Sequence, residues 1–256
     1  MKKRFEKLAF VASATPKAQE SLTRLQSLYP HVPPEEADVI IALGGDGLML
    51  ATLHSVLDNP KPIYGMNRGS VGFLMNDYCV EDLQARLEDA HQSNIHPLTM
   101  KTWDTKGEFK QAHAINEVSM LRQTYEAARL CVQVDGKTRL EELISDGILI
   151  ATPAGSTAYN LSVNGPIVPL SAPLLALTPI SAFRPRRWRG ALLPDSVVIT
   201  ITVLEPEQRP VAAVADHNEV RHAIRVEASL DRSITLTMLH DIGHGLDERI
   251  LREQFG

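Results

Sequence analysis

Cysteine is nearly absent: the 256 residues hold two, Cys79 and Cys131. They lie far apart and match no metal-ligand spacing, so neither a disulfide framework nor a zinc site builds this fold, and two reduced thiols in a cytoplasmic protein are expected. Aromatic residues make up only 5% of the chain. No apolar run approaches the roughly 18 residues that a membrane span requires. The apolar part of the N-terminus, residues 8–14, is too short for the core of a signal peptide, and basic residues crowd it closely. Charge of one sign is also scarce. The net charge is −5 and the pI about 6.0, so no global field exists to hold nucleic acid or an anionic membrane. Neither is expected as a partner, and any anionic ligand must be met by a local site. What the chain does have is apolar residues, 44% of the total, enough for the core of one large domain or two modest ones. It shows no internal repeat and no low-complexity linker.

The first third alternates two periodicities. Residues 8–13 and 39–43 (VIIAL) are short apolar runs suited to buried strands, as are 62–66. Between them, Ala18, Leu22, Leu25 and Leu28 share one helical face, followed by Leu50, Leu53 and Leu57, then Val80, Leu83, Leu87 and Ala90. Strands alternating with helices of this length predict a parallel sheet with helices on its faces. Near Pro97 the pattern changes to period two: Leu130, Val132, Val134; Val197, Ile199, Ile201, Val203; Ile224, Val226, Ala228, Leu230; Ile234, Leu236, Met238. This half reads as antiparallel sheets packed together. The expected domains are therefore 1–97 and a β-rich 98–240, with a helix in 241–256 returning to the first.

Three segments carry chemistry. In the first, Gly44, Gly45, Asp46 and Gly47 follow a buried strand and open a helix, the place where open α/β sheets bind ligands. Glycines there let the backbone approach a phosphate, which the free N–H groups and helix dipole favour. An acid in such a loop would repel phosphate if it only held phosphate. Asp46 makes sense as the acceptor of a proton from an attacking hydroxyl, or as a holder of the metal accompanying ATP; the plain alternative is a helix cap. The second segment, 146–168, delivers a Pro-Ala-Gly-Ser-Thr turn after a short strand, rich in small hydroxyl and amide groups. It suits a pocket for a polar, flat ligand, with Tyr159 available to stack on a base. In the third, Asn116 and Glu117 adjoin inside a β-like run, where neighbours point to opposite faces. One is then buried and polar unless a bulge or a ligand uses both, and the pair could grip a ribose diol. The nine histidines, His217, His240 and His244 among them, show no nucleophile or metal pairing.

Together these segments resemble the NAD kinase family. GGDG (44–47), NRGSVGFL (67–74), Asn116-Glu117, SDGILIATPAGSTAYNLSVNGPIV (145–168) and LTPI (177–180) fall in that family's order and approximate spacing, over nearly the whole chain. The run around TPAGSTAYNLS is highly specific, whereas GGDG also occurs in lipid kinases and some sugar-phosphate kinases. The resemblance implies an α/β N-terminal domain with a Rossmann-like sheet, an all-β C-terminal domain built as a β-sandwich, and an active site between them. It implies transfer of phosphate from ATP, accompanied by Mg²⁺ or another divalent cation, to the 2′-hydroxyl of the adenosine ribose of NAD, giving NADP, with Asp46 as base. Gly44, Gly45 and Gly47 would hold the ATP phosphates. Asp46, Gly47, Phe73, Asn116, Glu117, Asp146, Ala154, Thr157, Ala158, Tyr159, Asn160, Leu161, Ser162 and Asn218 would contact NAD. A homodimer or homotetramer is implied, a neighbouring subunit completing part of the site.

Some positions depart from the family pattern. Ala154 replaces a threonine, Asn164 stands where a glycine is usual, and Ile144 occupies a position often held by arginine. After LTPI the loop reads SAFRPRRWRG, whose Arg184, Arg186, Arg187 and Arg189 could reach phosphates bidentately or form a surface turn or subunit contact. Two other functions fit part of the pattern. A lipid kinase shares GGDG but needs a long apolar cleft or a basic face, and a dinucleotide sensor would not need Asp46.

Overall fold

The structure is a computed structural model and describes residues 4–69 and 72–243. Strand and helix alternate at first: β1 (Leu8–Ala12), α1 (Pro16–Leu28), β2 (Val39–Gly44), α2 (Asp46–Ser55), β3 (Ile63–Asn67), α3 (Leu83–Asp89) and β4 (His91–Ile95). Then come β5 (Leu98–Asp104), β6 (Phe109–Ala114), β7 (Glu117–Arg122), β8 (Ala128–Val134), β9 (Lys137–Ser145) and β10 (Gly147–Ala151). A 3₁₀ turn (Ala154–Thr157) and the one-turn helix α4 (Tyr159–Ser162) precede β11 (Leu174–Ile180) and β12 (Ala191–Pro194). The chain continues through β13 (Ile199–Val203), β14 (Val211–Ala215), β15 (Asn218–Val220), β16 (Ala223–Leu230) and β17 (Leu236–His240). It divides into two compact units, with boundaries after Ile95 and after Ser233.

The first unit holds a five-stranded sheet in the order β1-β2-β3-β17-β4. The first four strands run parallel and β4 is antiparallel to β17. Every residue of β2 is buried, as a parallel strand covered on both faces requires. Thr15 starts α1, its hydroxyl accepting the Ala18 N–H, with Pro16 at the first helical position. The helix buries Ala18, Ser21 and Leu25. The expected leucine stripe is displaced, and Leu28 is 57% exposed, because small side chains at 18 and 21 let the helix lie close to the sheet. Likewise α2 buries Met49, Thr52 and Leu53 and ends before Leu57.

One strand changes units. The segment 234–240 was expected with the β-rich half, yet β17 pairs Met238 with Ile63 and Leu236 with Ile95 in the first unit. Alternation marks a strand but does not say which sheet receives it. The expected helix in 241–256 lies almost entirely outside the described residues.

The second unit has two six-stranded sheets, β12-β11-β10-β7-β14-β15 and β6-β5-β16-β13-β8-β9, antiparallel in every pairing described. One buried cluster draws on both: Met100, Leu130, Ile199 and Val226 from the second sheet, Met120, Ile148, Leu177 and Ala213 from the first. A register shift between Ala223 and Arg225 buries Ala223 rather than Ile224. On the opposite face of β10 and β11, Leu149, Ala151, Ala176 and Val168 form a smaller cluster that Tyr159 and Val163 cover. That cluster seats the segment expected to bind ligand.

Candidate active site

In the first unit β2 delivers Gly44 to the sheet edge, Gly45 occupies the N-cap position, and Asp46 opens α2. Asp46 is not the cap. Its carboxylate turns to the loop after β3, where Oδ2 accepts the Phe73 N–H at 2.9 Å and Oδ1 the Leu74 N–H at 2.7 Å. A carboxylate offers about four lone-pair sites, so acceptor capacity remains on both oxygens. The glycines differ in their reasons, and none of 44, 45 and 47 has the left-handed backbone that favours glycine. A Cβ on Gly44 would meet the Leu48 side chain at 2.7 Å, and one on Gly69 would approach the Gly45 Cα at 3.3 Å. At Gly47 nothing lies within 4 Å, so of these positions it leaves open surface for a ligand. Phe73 is half-buried.

In the second unit Asn116 and Glu117 do not lie inside one strand: β6 ends at Ala114 and β7 begins at Glu117. The break is held by a carboxylate that the sequence did not single out. Asp216 Oδ2 accepts the Ile115 N–H at 2.6 Å, and Oδ1 accepts those of Asn116 and Glu117 at 3.0 and 3.2 Å. From the other side Thr152 donates its N–H to the Asn116 carbonyl at 2.9 Å and its hydroxyl to that of Ile115 at 2.7 Å. The same hydroxyl accepts the Gly155 N–H at 3.0 Å. A Cβ on Gly155 would sit 2.1 Å from the Asn116 carbonyl oxygen. The Pro-Ala-Gly-Ser turn is therefore locked onto the Ile115-Asn116 backbone.

Glu117 is partly buried, and its Oε2 has no hydrogen-bond partner among the described residues. Burial first, and then the negative charge of Asp216, push its carboxyl up to about 7, while the Tyr159 N–H acts against them. Burial, with Glu117 and Asp146 nearby, pushes the Tyr159 phenol up as well.

Other expected contacts divide. Asn160 is fully buried. Its amide donates to the carbonyls of Ser156 at 3.1 Å and Pro166 at 2.9 Å, and its Oδ1 accepts the Thr178 hydroxyl at 2.7 Å. Both amide hydrogens and one acceptor site of Oδ1 are taken up within the protein, so this side chain braces the turn. Ala154 is buried, Thr157, Ala158, Tyr159 and Leu161 are half-buried, and Ser162 is exposed. Asp146 pairs with Arg122 of β7 at 2.6 Å. Asn164 has φ of 63°, a conformation that asparagine tolerates better than most residues, in the place of a glycine. Asn218 is exposed at the start of β15. The arginine-bearing loop borders a cavity of about 300 Å³ lined by Ser162, Asn164, Arg186, Trp188 and Arg189 among others. Among the described residues no group of three or more His, Cys, Asp or Glu could hold a metal ion, and no helix is long and apolar enough to cross a membrane.

Sequence reasoning missed Asp216, Thr152 and Arg122. Thr152 lies within the turn that was singled out. Asp216 shows only as a turn residue between two alternating runs, about a hundred positions from the backbone it holds.

Comparison with known proteins matches both parts of the chain. The family model described as the ATP-NAD kinase N-terminal domain matches residues 1–95, and that of the C-terminal domain matches 115–234. An NAD kinase of Rhizobium meliloti (strain 1021) is 55% identical over 255 residues, covering 100% of this chain and 99% of that protein. One of Caulobacter vibrioides is 57% identical over 249 residues, 97% of this chain and 96% of that protein. Among solved structures, yeast NADH kinase complexed with NADH superposes with a TM-score of 0.85 at 20% identity, over 99% of this chain and 88% of that one. An NAD kinase from Archaeoglobus fulgidus in complex with ATP gives 0.76 at 22% identity, over 98% and 97%. These two show likeness of fold.

Proposed function

The chain belongs to the NAD kinase family, and from that premise we propose which of its residues do the chemistry. The enzyme moves the terminal phosphoryl group of ATP to NAD, making NADP. Membership sets aside the lipid kinase and the sensor. In the proposed step the 2′-hydroxyl oxygen of the adenosine ribose forms a bond to the terminal phosphorus as the bond from that phosphorus to ADP breaks. The hydroxyl proton passes to Asp46. Such a transfer needs an aligned nucleophile and neutralised charge more than covalent catalysis. The observation that carries this reading is the Asp46 carboxylate, held at the head of α2 by two backbone N–H groups with acceptor sites to spare.

Gly44, Gly45 and Gly47 hold the ATP phosphates at the N-terminus of α2, and Phe73 lies against a ring of the dinucleotide. Asn116 and Glu117 take ribose hydroxyls, Tyr159 packs on a ring, and Ala154, Thr157, Ala158, Leu161, Ser162, Asp146 and Asn218 line the remaining contacts. Asn160 acts from behind, as a brace. Magnesium usually binds through one or two carboxylates together with substrate phosphates. Asp46, whose carboxylate keeps acceptor sites beyond the two backbone N–H groups it holds, fits a divalent cation arriving with ATP, which would neutralise phosphate charge. We take the sheets of the second unit as a β-sandwich, on the support of their shared core, the first unit as Rossmann-like, and the enzyme as a cytoplasmic homodimer or homotetramer. Exposed Phe183 and Leu192 are candidates for burial against another copy.

Replacing Asp46 with Asn removes the proton acceptor and nearly keeps the shape. The expected outcome is a kcat lower by about 10²- to 10⁴-fold in a coupled NADP-production assay, with KM for NAD close to wild type and a modestly lower melting temperature, since one amide oxygen replaces the two oxygens that accept the Phe73 and Leu74 N–H groups. Near-normal turnover would take Asp46 out of the mechanism.

A further inference from the structure

We propose that Asp216 is a positioning residue for NAD: by capping three successive backbone N–H groups it sets the posture in which Asn116 and Glu117 receive the dinucleotide. The inference rests on the reading above that those two side chains contact NAD.

The chain between β6 and β7 leaves its sheets at residues 115–116, and Ile115 is only 1% exposed. Backbone donors at such a break have lost their ladder partners and need others. Asp216 alone supplies them for Ile115, Asn116 and Glu117, at 2.6, 3.0 and 3.2 Å. Its own N–H donates back to the Glu117 carbonyl at 3.2 Å. The clamp is rigidly carried. Asp216 occupies the two-residue turn between β14 and β15 with φ of 51°, and β14 pairs with β7 immediately beside it, Ala215 opposite Val118.

A neutral group could have capped part of this break. A carboxylate does more, because it sets a second negative charge beside Glu117, whose buried Oε2 has no partner among the described residues. Two carboxylates and an unsatisfied buried oxygen are unfavourable as a purely structural arrangement. They become favourable when a ligand brings hydroxyl donors, as a ribose diol does. The charged and titratable groups acting on Glu117 are Asp216 from the β14–β15 turn and Tyr159 from α4. Asp146 acts on Tyr159 and is itself paired with Arg122. The Glu117 carboxyl lies near 7, so the ionised form that accepts ribose hydroxyls is lost just below neutrality.

The test uses the full-length enzyme and follows KM for NAD, KM for ATP and kcat from pH 5.5 to 9, with melting temperatures alongside. Asparagine suits the left-handed backbone at 216 but has one acceptor oxygen, so Asp216→Asn frees at least one N–H and removes the charge. It should raise KM for NAD about ten- to a hundredfold with KM for ATP little changed, and move the acid limb of the NAD profile to lower pH. Asp216→Glu keeps the charge but misplaces it. It should raise KM for NAD and leave the limb where it is, which also preserves the test should the first variant fold poorly. A capping role without positioning would lower the melting temperature and leave the ratio of KM for NAD to KM for ATP alone. That result, or an Asp216→Asn enzyme with wild-type KM for NAD, overturns the proposal. Glu117→Gln separates the two readings: if it leaves KM for NAD untouched, the assignment of Glu117 as an NAD contact fails first. If it raises KM while Asp216→Asn does not, the positioning role fails alone.

Discussion

Glu117 is the residue whose environment is most at odds with its charge. Its carboxyl ionises near 7 in the folded protein against 4.5 as the reference value, chiefly because burial penalises the charged form. A group raised on folding binds its proton more tightly in the native state. It costs stability as pH rises from about 4.5 to about 7 and by a constant amount above that. Glu117→Gln removes the titration. Relative to wild type, the ligand-free variant should be more stable at pH 8 than at pH 5 by roughly 1–3 kcal/mol, read as the pH dependence of the difference in melting temperature. A difference that is flat with pH would mean that Glu117 is not buried as described. Saturating NAD should narrow the gap, since the ligand's hydroxyls satisfy what the fold leaves open. The Asn116-Glu117 pair was legible in the sequence because two adjacent polar residues in an apolar alternation are conspicuous. Asp216 was not, because nothing local joins a turn aspartate to backbone a hundred residues away.

At the scale of elements, the segment after β10 shows what a dense motif encodes. Its hydroxyls and amides looked like a ligand-binding surface, and about half are internal braces. Ser156 Oγ accepts the Val168 N–H at 3.0 Å, the Thr152 hydroxyl ties the turn to the Ile115 carbonyl just ahead of β7, and the Asn160 amide closes the loop to the Pro166 carbonyl. Small polar groups at this density can serve ligand or backbone, and composition does not say which. Glycine placement is the sharper sign, because it marks where two backbones touch. At Gly155 a Cβ would fall 2.1 Å from the Asn116 carbonyl oxygen, and backbone cannot move aside as a flexible side chain can. Gly155→Ala should therefore force the turn off the Asn116 backbone, lowering stability by roughly 1–3 kcal/mol and raising KM for NAD by at least as large a factor as Asp216→Asn. A thermal melt and steady-state kinetics check both. An alanine variant with wild-type melting and KM would mean that the turn and the Asn116 backbone are not in contact.

At the scale of the whole molecule the chain is not read in order. Alternating short strands and helices revealed a parallel sheet, and period-two runs revealed the antiparallel half, since both patterns are local. The assignment of β17 was not local: its alternation matches the strands before it, and its partners β3 and β4 precede the entire second unit. The consequence is that the first unit cannot be completed until the second has been made. Leu236, Met238 and Leu239 are 0%, 0% and 1% exposed, and β17 lies between β3 and β4 rather than at an edge. Burying three such side chains contributes about 1.5–3 kcal/mol each, a large share of the 5–15 kcal/mol that typically separates a folded domain from its unfolded chain. The described strands of the second unit, by contrast, all pair within 98–230. A chain ending at Ser233 should then keep protected amides in β5, β7, β10, β13 and β16 and a cooperative melt of its antiparallel sheets. It should lose protection throughout β1, β2 and β3, and with them Asp46's setting and all NADP formation. Hydrogen exchange read by region makes the comparison, and persistent protection in β2 of the shortened chain would show that the parallel sheet does not depend on its last strand.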